Sequence, residues 1–277
     1  MIAAWVARNI HVNSSMSAVR LVDYNYSRRD EKETEFFNEQ NRYTAQQENF
    51  TKIPGMPVAY WVSEALLRCF TDREPLDDSY SFREGIHTAD NDRFLRFWHE
   101  ISISTVVFDA TSFSDIDAHG TWVPYNKGGE FRKWYGNNEY VIGFNKVFRD
   151  EMAELKGHVR PSQSLYFLEG GTWSAVTSGG FGIRYYPKGF LFDAGGQVAV
   201  GKDIEYCLAY LNSKLFSQIA AITMPTINSK CGIIKTLPDL RIKDDMTKRL
   251  VVENVSVSKK DWDSVETSWD FQRHPMI

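Results

Sequence analysis

Apolar positions recur along this chain in short alternating runs separated by glycine- and asparagine-rich turns, with a few helix-spaced stretches between them. Residues 2–12, IAAWVARNIHV, alternate around Trp5, Val6, Ala7, Ile10 and Val12 and predict a strand. Residues 27–50 are polar with no regular apolar stripe, which predicts a solvated helix or linker. The segment Ile53-Pro54-Gly55-Met56-Pro57 breaks any helix, and residues 60–70, YWVSEALLRCF, follow as a short amphipathic helix. Over 120–143, GTWVPYNKGGEFRKWYGNNEYVIG, aromatic strands alternate with turns at Gly128-Gly129 and Asn137-Asn138, the pattern of a hairpin-like unit. Short strands continue through 164–200. A helix is expected over 203–221, with Asp203 able to cap it and Ile204, Cys207, Leu208, Leu211, Leu215 and Ile219 at helical spacing. Gly232-Ile233-Ile234 reads as strand-like, and 244–255, DDMTKRLVVENV, as helix-forming.

These elements predict a mixed α/β (α+β) fold. Short antiparallel strands should fill 120–200, with the 203–221 helix packed on them. The composition shifts suggest a division into 1–53, a terminal strand plus polar linker; 54–240, the main domain; and 241–277, the start of a helical region.

Charge sharpens this picture. The 277 residues carry a net charge of −4, which does not advertise a polyanion partner. The distribution is uneven: 20–100 holds 11 basic and 16 acidic residues, net −5, whereas 121–190 holds 9 basic and 6 acidic, net +3. Cys69, Cys207 and Cys231 form no Cys-x-x-Cys pair, so a zinc ribbon is excluded and a reduced, cytoplasmic protein is expected. No stretch approaches a membrane span. The chain holds no Gly-x-x-x-x-Gly-Lys-Ser/Thr loop, Gly-x-Gly-x-x-Gly turn, His-Glu-x-x-His or Gly-x-Ser-x-Gly. Its six histidines are scattered, which leaves no metal or catalytic site to assign.

Two stretches carry binding chemistry. Residues 127–138 combine Lys127, Arg132 and Lys133 for phosphates, Trp134 and Tyr135 for stacking, and Asn137 and Asn138, whose amides match adenine edges. An alternative is a plain hairpin with solvated cations. Residues 177–189 repeat the theme with Arg184, Tyr186 and Lys188; in a strand Arg184 and Tyr186 share one face and Tyr185 the other, so at least one tyrosine belongs to the core.

In this order, PVAYWVSEALLRCF, IHTADNDRFLRFWHEIS, KGGEFRKWYGNNEYVI, TWSAVTSGGFGIRYYPKGFLFD, YLNSKL, PTINSKCGIIKTLP and DWDSVETSWDFQRHP resemble the C-terminal half of the PglX family. These are adenine-specific DNA methyltransferases of BREX phage-defence systems. That half is itself similar to the TaqI-like specificity domain of type IIG restriction-modification enzymes. The resemblance implies DNA target recognition, with double-stranded DNA and other BREX proteins as partners. It also implies an upstream catalytic domain that binds S-adenosylmethionine and holds an Asn-Pro-Pro-Tyr motif. Neither that motif nor a cofactor loop is present here, so no cofactor is expected to bind this chain and no methyl transfer is expected from it alone. AWVARN looks like the last strand of that domain, which implies a missing first half. Lys127, Arg132 and Lys133 would then touch phosphate or base, Asn137 and Asn138 would read bases, and Trp134 or Tyr135 would buttress the loop. Arg184, Tyr186 and Lys188 would form a second contact strand, and Thr88, Asn91 and Arg93 a third set. Lys127, Arg132, Lys133 and Arg184 are expected to be largely exposed on one face. Ala89 departs from the family, where glycine is common, and this bears on a tight turn. The alternative is a stand-alone DNA-binding or protein-interaction module of the same complex.

Overall fold

Polar residues alternate with apolar or aromatic ones in Ser15–Val19 (β1) and Arg42–Gln46 (β2), and the two strands pair antiparallel, with α1 (Lys32–Phe36) in the connection. A computed structural model describes residues 15–274 together with Val6 and Met276, so the strand expected over 2–12 falls, Val6 apart, outside the described residues. Chain contacts divide the protein into two units, one up to Arg73 and one from Glu74 onward.

The first unit corrects the reading of 27–50 as helix or linker alone, since 42–46 is a strand. Its apolar cover comes from beyond the polar segment. Tyr60 packs edge-on against Tyr43 at 5.6 Å, and the Arg20 guanidinium stacks over Trp61 at 4.4 Å. The amphipathic helix of this region, α2, begins at Glu64 and ends at Thr71, because Ser63 caps it by accepting from the Leu66 amide at 3.3 Å.

The second unit runs β3 (Ser81–Arg83), α3 (Asn91–Phe94), β4 (Leu95–Phe97), α4 (Phe113–His119), β5 (Trp122–Asn126), β6 (Tyr140–Gly143), α5 (Lys146–Ala153), β7 (Gly170–Ser174), β8 (Arg184–Tyr186), β9 (Leu191–Phe192), β10 (Gly196–Val200), α6 (Ile204–Leu211), α7 (Lys214–Thr223), α8 (Cys231–Ile234) and α9 (Asp245–Trp262). This is a mixed α/β fold. One four-stranded sheet has the order β3-β10-β7-β8 and is antiparallel throughout; the other, β4-β6-β5-β9, is antiparallel except for the β5–β9 pair. The hairpin expected over 120–143 is present, with Trp122 opposite Gly143 and Tyr125 opposite Tyr140. Phe94, Val123, Tyr125, Ile142, Phe144, Phe192 and Val198 are among the residues that fill the core. The two sheets come together at the end of β5. A Cβ on Gly196 would lie 2.1 Å from the Asn126 carbonyl oxygen, so only glycine lets β10 approach there.

Three local expectations are corrected. The 203–221 helix is two helices, because Ser213 interrupts it and caps α7 by accepting from the Phe216 amide at 3.1 Å. Asp203 does not cap α6; it sits at φ 51° with its carboxylate on Lys248 at 3.0 Å. Residues 232–234 are helical, not extended. The Cys231 amide donates to the buried Gln197 side chain at 2.6 Å, a tertiary bond that outweighs the β-branched preference of Ile233 and Ile234.

Ala89 sits at φ 66°, in the left-handed region, just ahead of α3, where Asp90 caps by accepting from the Arg93 amide at 3.0 Å. An L-residue with a Cβ is strained there by about 1–2 kcal/mol. Ala89→Gly is expected to stabilise the protein by about 1 kcal/mol, less the entropy that glycine adds to the unfolded chain. Urea denaturation reads this directly, and a fall in midpoint would contradict it.

Candidate nucleic-acid interface

Between β5 and β6 the chain makes a long excursion over 127–139. Gly128 and Gly129 turn at φ 101° and 113°, conformations in which a side chain would be strained. Asn137, at φ 62°, closes the loop by donating its amide to the carbonyls of Gly128 at 3.3 Å and Glu130 at 2.9 Å. Trp134 then meets β8. Its amide donates to the Ile183 carbonyl at 3.0 Å, and its carbonyl accepts from the Tyr185 amide at 2.7 Å. These two bonds flank Arg184 and add the loop to the sheet edge as a parallel bridge. The stretches 127–138 and 183–186 therefore lie side by side.

Their side chains depart from the expectation of exposed cations. Lys127 is drawn inward to Asp193, with Nζ 2.7 Å from a carboxylate oxygen and the side chain 28% exposed. Asp193 is buried and also accepts from the Tyr125 hydroxyl at 3.0 Å and the Gly195 amide at 2.6 Å. Lys133 donates to the Asn212 carbonyl at 2.8 Å and is half-buried. Arg132 lies over the Trp262 ring at 5.0 Å and 3.4 Å from the exposed Asp261 carboxylate. Arg184 is 2% exposed, because the loop that pairs with β8 covers it; burial, with the nearby Arg132 charge, pushes its guanidinium down to about 10. Lys188 is exposed.

The aromatic and amide candidates divide in the same way. Tyr186 is fully buried in the core, which corrects its place in the second contact strand, and Tyr185 faces the other way with its hydroxyl on Glu169 at 2.8 Å. Tyr135 is buried beneath Lys259, whose ammonium lies 5.2 Å from the ring centre. Burial raises the pKa of both Tyr135 and Tyr186, because it disfavours the charged phenolate. Asn138 is buried, and its amide nitrogen has no hydrogen-bond partner. Trp134 remains half-buried.

The third set stands elsewhere in its bonding. Thr88 is buried and donates to Asn91 Oδ1 at 2.7 Å. Arg93 grips both carboxylate oxygens of Glu151 at 2.8 Å and lies over Phe148 at 4.9 Å. Among the described residues, no hydrogen bond or ion pair joins this set to the 127–138 loop. Sequence reasoning missed Asp193 and the end of α9, where Lys259, Asp261 and Trp262 form one wall of the loop. The block DWDSVETSWDF carries two of them, and its tryptophans mark a packed segment in an otherwise polar tail.

No family model matches the chain. It is 37% identical over 245 residues to "Adenine-specific methyltransferase PglX" of Lacticaseibacillus casei (strain Zhang), covering 85% of this chain and 20% of that protein. It is 36% identical over 282 residues to "Adenine-specific methyltransferase BrxX" of Escherichia coli O9:H4 (strain HS), covering 99% of this chain and 22% of that protein. The chain thus spans about a fifth of the length of the curated relatives it matches. By sequence, it is a homologue of a C-terminal part of the adenine-specific methyltransferases PglX and BrxX.

Proposed function

We propose that this chain recognises double-stranded DNA for a SAM-dependent adenine-N6 methyltransferase of a BREX-type system. In this reading cofactor binding and methyl transfer belong to a separate catalytic domain. The observation that carries it is the pairing of Trp134 with the strand around Arg184, which gathers basic and aromatic stretches some 50 residues apart into one edge. An enzyme that methylates a base must hold the duplex while one adenine is extruded. The phosphate contacts set position and the base contacts set specificity. Arg132, Lys133 and Lys188 act on phosphates, with Arg132 also able to reach a guanine edge. Lys127, Tyr135, Asn137 and Asn138 shape the loop that presents them.

Binding by this chain alone is expected to be weak and steeply salt-dependent. With about three phosphate contacts, affinity should fall roughly 40-fold between 50 and 200 mM salt. Fluorescence anisotropy with a labelled duplex measures this. Arg132→Gln and Lys188→Gln should each flatten the log–log slope by about one. Absence of duplex binding at low salt would sink the reading.

A second reading, a protein-interaction module of the same complex, draws on α9. Met246, Leu250 and Val257 are 54%, 47% and 67% exposed and recur at helical spacing on one face. It predicts self-association or partner capture that Leu250→Glu abolishes.

A further inference from the structure

A buried arginine without a carboxylate is rare, because the charge has lost its hydration and gained no partner. Arg184 is such a residue. It is 2% exposed, its Nε has no hydrogen-bond partner, and Nη2 reaches the Gly128 carbonyl only at 3.5 Å. No described carboxylate forms an ion pair with it. It lines a narrow open recess of about 10 Å³, room for one water-sized atom, together with Ser174, Thr177, Gly180, Gly182 and Glu130.

The walls of this pocket suit an oxyanion. The Ser174 hydroxyl is committed to the Gly129 carbonyl at 2.6 Å. Thr177 Oγ1 accepts from the Gly179 amide at 3.2 Å, which leaves its own hydrogen free to donate. Gly180, at φ 88°, has open space where a Cβ would stand, so nothing closes the mouth on that side. Arg132 adds a second positive charge to the same field. Glu130 lines the mouth but is exposed and unpaired with Arg184. The recess has room for one phosphate oxygen, and the unpartnered Nε is a charged donor for it. A base edge within a duplex is a flat rim that does not enter so narrow a recess, whereas phosphate oxygens project from the strand.

We propose that Arg184 is the floor of a phosphate socket, formed where the 127–138 loop pairs with β8, and that it takes one projecting oxygen of a backbone phosphate of bound DNA. The DNA source rests on the function proposed above; the socket does not. The guanidinium is thus kept at the expense of stability for binding.

Two measurements on the whole chain test this. In the first, thermal unfolding is followed with inorganic phosphate or chloride at matched ionic strength. Phosphate should raise the wild-type midpoint by a few degrees and leave Arg184→Met unmoved. In chloride alone Arg184→Met should unfold at the same temperature or higher. Thr177→Val, which keeps the arginine, should reduce the phosphate shift, and Glu130→Gln should enlarge it. In the second, duplex affinity is measured against salt, and Arg184→Met should flatten the slope by about one. An equal phosphate shift in wild type and Arg184→Met, or a fall of several degrees for that variant in chloride, overturns the socket. Loss of discrimination at one base with an unchanged slope makes Arg184 a guanine reader and also overturns it. A phosphate shift confined to arginine-bearing chains, with no duplex bound at any salt, upholds the socket for free phosphate and defeats the DNA reading instead.

Discussion

Trp173→Ala is expected to cost about 3–5 kcal/mol of folding stability, the range for removing a large buried aromatic from a packed core. Trp173 is on β7, opposite Gln197 of β10, and is fully buried. Its ring touches Phe82 of β3 at 6.2 Å and Phe181 at 5.9 Å, and its indole nitrogen donates to the Ser229 carbonyl at 2.7 Å. One side chain therefore joins β3, β7 and the segment leading into β8 to Ser229. Phe181 leads directly into Gly182 and Arg184, so the loss should reach the proposed socket as well. A drop in melting temperature on the order of 10 °C is expected for a unit of this size. Trp173→Phe keeps most of the ring and should cost less than half as much, with the lost indole hydrogen bond accounting for about 1 kcal/mol of it. If alanine here changes the denaturation midpoint by less than an equivalent of about 1 kcal/mol, the packing role is refuted.

Asp193→Ala should cost about 3 kcal/mol, because it breaks a buried pair from one side. Three donors converge on this carboxylate: the Lys127 ammonium, the Tyr125 hydroxyl and the Gly195 amide. Tyr125 retains the Ile86 carbonyl at 3.2 Å, and Lys127 can turn partly to water, so the loss stays below that of a wholly enclosed pair. Lys127→Met should cost clearly less, since Asp193 keeps its other two donors. A double-mutant cycle should return a coupling of about 1–3 kcal/mol for the two residues. In the DNA-binding assay Lys127→Met should leave the salt slope unchanged, because its ammonium already has a carboxylate partner. A slope flattened by one would show that Lys127 leaves Asp193 to meet phosphate.

Local chemistry accounts for what could be read in the chain before folding. The 122–143 hairpin follows from period-two alternation and turn glycines, both of which act within a few residues. The helical character of 204–223 has the same origin. The relation to adenine-specific methyltransferases was legible too, because several motifs occur in order along one chain. The basic and aromatic stretches at 127–138 and 183–188 were likewise visible as chemistry.

Tertiary structure alone decided which of those side chains face water. Strand alternation puts Arg184 and Tyr186 on one face and Tyr185 on the other, but it does not say which face is covered. The 127–138 loop covers the Arg184 face by pairing with the strand edge, and no local signal announces that pairing. Lys127 looked like a free cation because Asp193 is 66 residues away in sequence, a separation across which only folding brings charges together. The break at Ser213 and the helical turn at Cys231–Ile234 were set by a cap and by the Gln197 side chain, each of which can override a weak local preference. Residue types and their spacing thus determined the elements and the chemistry available, while burial, which depends on what each strand packs against, determined which of that chemistry remains open to a ligand.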